Sequence, residues 1–210
     1  MNKRVGVMML TAVLMTACGA HQGRYYKPLE ARTKVSTTLF LEPVTQDKKS
    51  VYVQVNNISG SQDLGLQEAL MASLRSKGYH LVNAPDQAHY WLQATVLQVG
   101  EVDWQAAEKA LESGFGSMVK RSSLEDPLIK KPVVSLIVDA QISERQGLSN
   151  QVKPKPRSRV KSRETQEVLS TQTVHWRRYQ TRLLSSIDPS ATKATPKLVS
   201  GLTRAITGVF

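Results

Sequence analysis

The sequence predicts a single α+β domain, in which a mostly antiparallel sheet packs against two or three helices on one side. Three observations support this fold class. Several segments alternate apolar and polar residues with the two-residue period of a half-buried strand, most clearly at 134–143. Other segments carry an apolar residue at every third or fourth position, which is typical of amphipathic helices. The 210 residues are enough for one sizeable core, and no internal repeat is visible.

Two strands and a helix come first. We predict strands at Val35–Glu42, which Pro43 closes, and at Val51–Asn56, where alternate residues are valines. A helix over Asp63–Lys77 follows, because leucines recur every four residues. Gly78 stands where a residue in the left-handed conformation ends many helices.

The middle of the chain predicts two further strands and a second helix. The strands are a short one at Tyr79–Val82 and a long one at Tyr90–Val99, whose side chains alternate between two faces. Asp103 can cap the helix Trp104–Ser113, and Gly114 ends it.

The last third predicts two long strands and a C-terminal helix. The first strand follows Pro132, and the second covers Val174–Ile187. The apolar residues of the second strand change face in its middle, which predicts a bulge near Arg177-Arg178. Thr195-Pro196 opens the helix, since proline is favoured at the first helical position. That helix is a candidate for a subunit contact, and its apolar stripe predicts at least as well that it closes the core of its own domain.

Residues 1–17 have the order of a secretory signal, with Lys3 and Arg4 followed by an apolar run over 5–15 and two small residues. The single cysteine of the chain, Cys18, stands directly after them. We predict that residues 1–17 are a lipoprotein signal peptide and that Cys18 becomes the lipidated first residue of the mature protein. A retained membrane anchor is disfavoured, because a spanning helix needs about 20 apolar residues.

The rest of the chain is predicted to be a flexible lipidated tether at 18–34 and the α+β domain at 35–210. Gly19, in place of the aspartate that favours inner-membrane retention, predicts anchoring in the cell outer membrane. The mature chain carries 26 Lys and Arg against 17 Asp and Glu, a formal charge of +9. This surplus favours an anionic partner such as lipopolysaccharide or another envelope component, and export argues against nucleic acid.

A basic, proline-containing loop is predicted at about 146–169. Between 153 and 163 it holds six cations and no anion. The cations are Lys153, Lys155, Arg157, Arg159, Lys161 and Arg163. One hypothesis makes them an anion-binding finger for lipopolysaccharide phosphates or another envelope polymer. The alternative, which the composition favours, is a solvated loop between two long strands.

Catalytic and metal-binding patterns are absent from the sequence. The four histidines are isolated, and no phosphate-binding loop, serine-hydrolase motif or paired-carboxylate motif occurs. The sequence therefore predicts a protein that is not an enzyme and that needs no cofactor or metal. Tyr90-Trp91 could form an exposed aromatic patch, although we expect one ring in the core and the other under a helix.

Several segments, taken in order, resemble the TraT family of outer-membrane lipoproteins and cover most of the mature chain. The segments are Leu39–Pro43, Val51–Asn57, Lys77–Tyr79, Pro85–Ala94, Asp139–Arg145 and Tyr179–Arg182. The most specific is the Pro-Asp-x-Ala-x-Tyr-Trp block within Pro85–Ala94. The resemblance implies a homo-oligomer at the outer membrane that acts in surface exclusion during conjugation and in resistance to complement.

The chain departs from that family between the second helix and the strand around Asp139. The family carries a long, hydrophobic, Gly/Ala-rich segment there, whereas residues 113–131 of this chain could not cross a bilayer. The departure keeps a second hypothesis open, a periplasm-facing scaffold lipoprotein that assists a secretion or conjugation machine. An exported enzyme is the third hypothesis.

Overall fold

The computed structural model describes residues 30–119, 131–146 and 175–210. Its regular elements follow the predicted order of strands and helices. They are β1 (Arg32–Val35), β2 (Ser50–Asn57), α1 (Leu66–Ser76), β3 (His80–Leu81), β4 (Tyr90–Asp103), α2 (Trp104–Glu112), β5 (Pro132–Gln146), β6 (His175–Ile187) and α3 (Ala194–Thr207).

The strands form one sheet in the order β1-β6-β5-β4-β2-β3. The pairs β1–β6, β6–β5 and β5–β4 are antiparallel, whereas β2 runs parallel to both β4 and β3. The two parallel pairs arise because α1 carries the chain from β2 back to the start of β3 and β4. The predicted fold class, a single α+β domain with a mostly antiparallel sheet, is confirmed.

One face of the sheet, which we call the helix face, packs against α1 and α3 and holds the main core. Leu66, Leu70 and Leu74 form the buried stripe of α1. On α3 the buried stripe includes Leu198 and Leu202. Alternate strand residues complete this core, and they include Val51, Val53, Tyr90, Leu92, Ala94, Val96, Leu136, Val138, Ala140, Ile142 and Leu183.

The expectation that all helices lie on one side of the sheet is wrong for the second helix, α2. Ala107 and Leu111 of α2 pack with Ile137 and Leu184, whose side chains lie on the opposite face of the sheet. The strand alternation allows this arrangement, because Ile137 and Leu184 are apolar residues between neighbours that point to the helix face. The domain therefore has helices on both faces of the sheet.

Two strand predictions were wrong in detail. The first strand lies at Arg32–Val35 rather than at Val35–Glu42, and it begins within the segment predicted as a tether. The predicted bulge near Arg177-Arg178 is absent, since β5 and β6 pair in one unbroken register. Both faces of β6 carry large side chains, so no change of face is needed. The register shift lies instead in β4, between Val96 and Gln98.

The predicted end of α1 and the predicted start of α2 agree with the structure, whereas α1 begins at Leu66 instead of Asp63, and α3 begins at Ala194, two residues before Pro196. Gly78 has a φ of 83°, the left-handed conformation expected after α1. The carboxylate of Asp103 accepts hydrogen bonds from the backbone N–H groups of Gln105 and Ala106 at the start of α2. None of the helices within residues 30–119, 131–146 and 175–210 has the length and apolar composition needed to cross a bilayer.

Candidate interaction face

The helix α2 covers only part of the face opposite α1 and α3. The border of the covered part is a buried ion pair between Arg182 of β6 and Asp139 of β5, which lie opposite each other in the sheet. The Arg182 side chain has no exposed surface, and Asp139 is 7 % exposed. Burial of an ion pair is tolerated only when hydrogen bonds satisfy both charges.

Arg182 meets that condition with five hydrogen bonds. Its Nε and Nη2 donate to the two carboxylate oxygens of Asp139 at 2.6 and 3.0 Å. Its remaining bonds reach the last turn of α2 and the segment after it, at the Ala110 carbonyl (2.9 Å), the Ser113 hydroxyl (2.8 Å) and the Ser117 carbonyl (2.7 Å). The Gly116 N–H donates to the second oxygen of Asp139. The pair therefore fixes the end of α2 against the sheet.

Next to this pair, four glutamines lie side by side on four strands. The register places Gln54 opposite Gln93, Gln93 opposite Gln141, and Gln141 opposite Gln180. Gln141 donates to the amide oxygen of Gln93 at 2.9 Å, and Gln180 donates to that of Gln141 at 2.7 Å. We call Gln54, Gln93, Gln141 and Gln180 the glutamine row. It spans three strand spacings, or about 14 Å.

Three aromatic side chains lie beyond the glutamine row on the same face. Tyr52 and Trp91 are register partners whose ring centroids are 6.2 Å apart. Trp91 and Trp176 meet edge to face at 6.3 Å. All three rings are half-buried. We call Tyr52, Trp91 and Trp176 the aromatic row, and the two rows together the open face, because the described helices lie elsewhere.

The charges on the open face are positive. The Arg145 guanidinium lies 5.3 Å from the Trp176 ring and donates to the backbone carbonyls of Pro85 and Asp86. Arg178 is exposed, and its side chain has no hydrogen bond or ion pair within the described part of the chain. Among the described residues of these strands, the carboxylate nearest to the open face is Asp139, which Arg182 neutralises.

The side chains of Tyr90 and Trp91 point to opposite faces of the sheet, as those of consecutive strand residues do. Tyr90 is fully buried in the core on the helix face, as expected for one of the two rings. Trp91 makes its ring contacts with Tyr52 and Trp176 instead of with a helix. Its indole N–H is buried without a hydrogen-bond acceptor among the described residues.

A second polar cluster lies at the end of the helix face, around Glu144. The Tyr179 hydroxyl donates to Glu144 at 3.0 Å, and the His89 Nε2 lies 3.8 Å from its other oxygen. Burial lowers the pKa of His89, and the charge of Glu144 opposes that shift only in part. Burial and the bond to Glu144 raise the pKa of Tyr179. No group of three metal-ligating side chains occurs in residues 30–119, 131–146 or 175–210.

The site residues predicted from the sequence lie outside the described residues. They are Cys18 and the cations Lys153, Lys155, Arg157, Arg159, Lys161 and Arg163. The glutamine row was not predicted, although the strand alternation already placed Gln93 and Gln141 away from the core. The missing information was the register, because only the pairing of strands brings four separate glutamines into one row.

The chain is similar to known proteins over its full length. A family model described as the Enterobacterial TraT complement resistance protein matches residues 28–124. A TraT complement resistance protein of Escherichia coli is 28% identical over 247 aligned positions, which cover 100% of both chains. Another, from Escherichia coli strain K12, is 26% identical over 246 positions with the same coverage. These alignments are longer than the 210 residues of this chain. The relatives therefore carry residues that it lacks.

One solved structure is a more distant match. It is a dodecamer of a PelC point variant from Paraburkholderia phytofirmans, which is 13% identical, with a TM-score of 0.42, over 85% of this chain and 96% of that one.

Proposed function

Because the chain belongs to the TraT family, we propose that it is a lipoprotein of the outer membrane that acts in complement resistance and surface exclusion. The observation that carries this proposal is the full-length similarity to proteins named for complement resistance. Their names describe a protective role and no catalysis, so we propose no reaction for this chain.

The proposed anchor is a lipid on Cys18, with the folded domain acting through contacts with other envelope components. Its support is the signal-like order of residues 1–17 before the only cysteine. A single acyl chain binds membranes only weakly, so stable anchoring calls for more than one chain on this residue. Homo-oligomers displayed at the cell surface are part of the proposal.

Cells that express the chain provide the test. Labelled palmitate should enter the wild-type protein and not Cys18→Ala. Recipient cells that carry the wild-type chain should accept a related conjugative plasmid less often than cells with the empty vector. Equal palmitate label in the wild type and in Cys18→Ala would contradict the lipid anchor. Equal mating frequencies with and without the chain would contradict the role in surface exclusion.

The second candidate is a scaffold lipoprotein that faces the periplasm. It is favoured by the shorter chain, since the family match ends at residue 124, next to the position where the family's hydrophobic segment is missing. Trypsin applied to intact cells separates the candidates, because residues 153–163 are rich in cleavage sites. Cleavage in intact cells supports surface display, and cleavage only after permeabilisation supports the scaffold.

A further inference from the structure

We propose that the open face binds an acidic glycan, a chain of sugars bearing carboxylates, laid across the strands along the glutamine and aromatic rows. The proposal does not depend on the proposed function, because it rests on the side chains of the face alone.

The aromatic row offers the surface that sugar rings favour. A sugar ring carries C–H groups on its faces, and these pack against the apolar faces of Tyr and Trp side chains. The ring planes of Tyr52 and Trp91 differ by 53°, and those of Trp91 and Trp176 differ by 69°. The row is therefore a corrugated apolar strip, into which the faces and edges of sugar rings can fit.

The glutamine row supplies the polar contacts. A carboxamide has two donors and one acceptor with two lone pairs, which complement hydroxyl and acetamido groups. The bonds from Gln180 to Gln141 and from Gln141 to Gln93 fix the orientation of these amides. Binding then immobilises fewer side chains, which lowers its entropic cost. The amide of Gln54 is exposed at one end and that of Gln180 at the other, so the row of about 14 Å can contact a short oligosaccharide along its length.

The charge selects an acidic glycan over a neutral one and over a second copy of the chain. Arg178 lies next to the glutamine row, is exposed and has no side-chain partner among the described residues, so it can meet a carboxylate. Arg145 adds a second positive charge beside Trp176. Two copies docked face to face about a two-fold axis would bring four arginines together, with no unpaired carboxylate facing them from the described strands, which is unfavourable.

The test measures binding of two oligosaccharides of equal length to the mature protein in detergent, by titration calorimetry. The acidic probe is a hyaluronan octasaccharide, which alternates glucuronate with N-acetylglucosamine, and the neutral probe is a chitin octasaccharide. We expect the acidic probe to bind more tightly. Arg178→Gln should weaken its binding about tenfold, the value of one charge-assisted hydrogen bond.

Arg177→Gln is the matched control, because it removes the same charge from the neighbouring residue, which points to the helix face and lies 3.7 Å from Glu42. Its affinity should stay at the wild-type value. Gln180→Ala, another exposed position, should weaken binding of both probes. The proposal is overturned if neither probe binds, if the two arginine variants lose affinity equally, or if Arg178→Gln changes only the oligomeric mass. A change in oligomeric mass alone would assign the open face to contact with a second copy of the chain.

Discussion

Replacing Arg182 by methionine should destabilise the domain more than any single exposed substitution. The change removes the guanidinium that donates to Asp139, Ala110, Ser113 and Ser117. Among the described residues, it leaves the Gly116 N–H as the remaining partner of the buried Asp139 carboxylate. Breaking a buried pair by removing one partner costs about 3–5 kcal/mol. Small domains have total stabilities of about 5–15 kcal/mol, so the loss is a large fraction of the whole.

The assay is urea denaturation of the mature protein in detergent, followed by the circular dichroism of the backbone. Arg182→Met should lower the free energy of unfolding by about 3–5 kcal/mol. Arg182→Lys should lie between this variant and the wild type, because an ammonium keeps the charge but has only three donors. The slope of the denaturant dependence should stay unchanged if the same surface unfolds.

Arg177→Met is the control, since it removes an exposed arginine from the same strand. Its ion pair with Glu42 is more than half exposed on both sides and is worth about 0–1 kcal/mol. If Arg182→Met costs no more than Arg177→Met, the buried pair does not hold the end of α2 against the sheet. That result would refute the role assigned to Arg182.

Three further predictions concern the cap of α2, the packing of α3 and the response to acid. Asp103→Ala removes the acceptor for two N–H groups of α2 and should cost about 1 kcal/mol in the same denaturation assay, whereas Glu101→Ala, an exposed change on the preceding strand, should not. Gly201→Val should cost about 1–3 kcal/mol, because a Cβ there would lie 2.7 Å from the Thr33 hydroxyl, and exposed Ser200→Val is its control. His89 has a lowered pKa, so the unfolded chain binds more protons than the folded chain between that pKa and 6.5, and stability falls as the pH is lowered through this range. Between pH 7 and pH 5, thermal unfolding should therefore show a smaller loss of stability for His89→Gln than for the wild type. An equal loss in the two proteins would contradict the lowered pKa of His89.

The residues that follow local rules were predictable from the sequence. The leucine stripe of α1, the Asp103 cap and the left-handed Gly78 depend on neighbours within one or two helical turns. The alternation of β5 likewise depends on burial of one face, which the period of two reveals. These features led to the correct fold class and to most element bounds.

The residues that depend on strand register were not predictable in the same way. Arg182 and Asp139 are distant in sequence, and each alone resembles an ordinary charged residue of a strand. Their partnership follows only from the pairing of β5 with β6. The glutamine row needs three such pairings at once. The predicted bulge at Arg177-Arg178 failed for a related reason, because apolar side chains on both faces of β6 resembled a change of face.

Survival of cells in human serum tests the central claim, that this TraT-family chain protects the cell from complement as a lipoprotein. Cells that express the wild-type chain should survive better than cells with the empty vector in active serum, and equally well in heat-inactivated serum. Cys18→Ala, expressed at the same level, should lose the protection. Equal killing of wild-type and empty-vector cells would contradict the claim, and full protection by Cys18→Ala would contradict the lipid anchor.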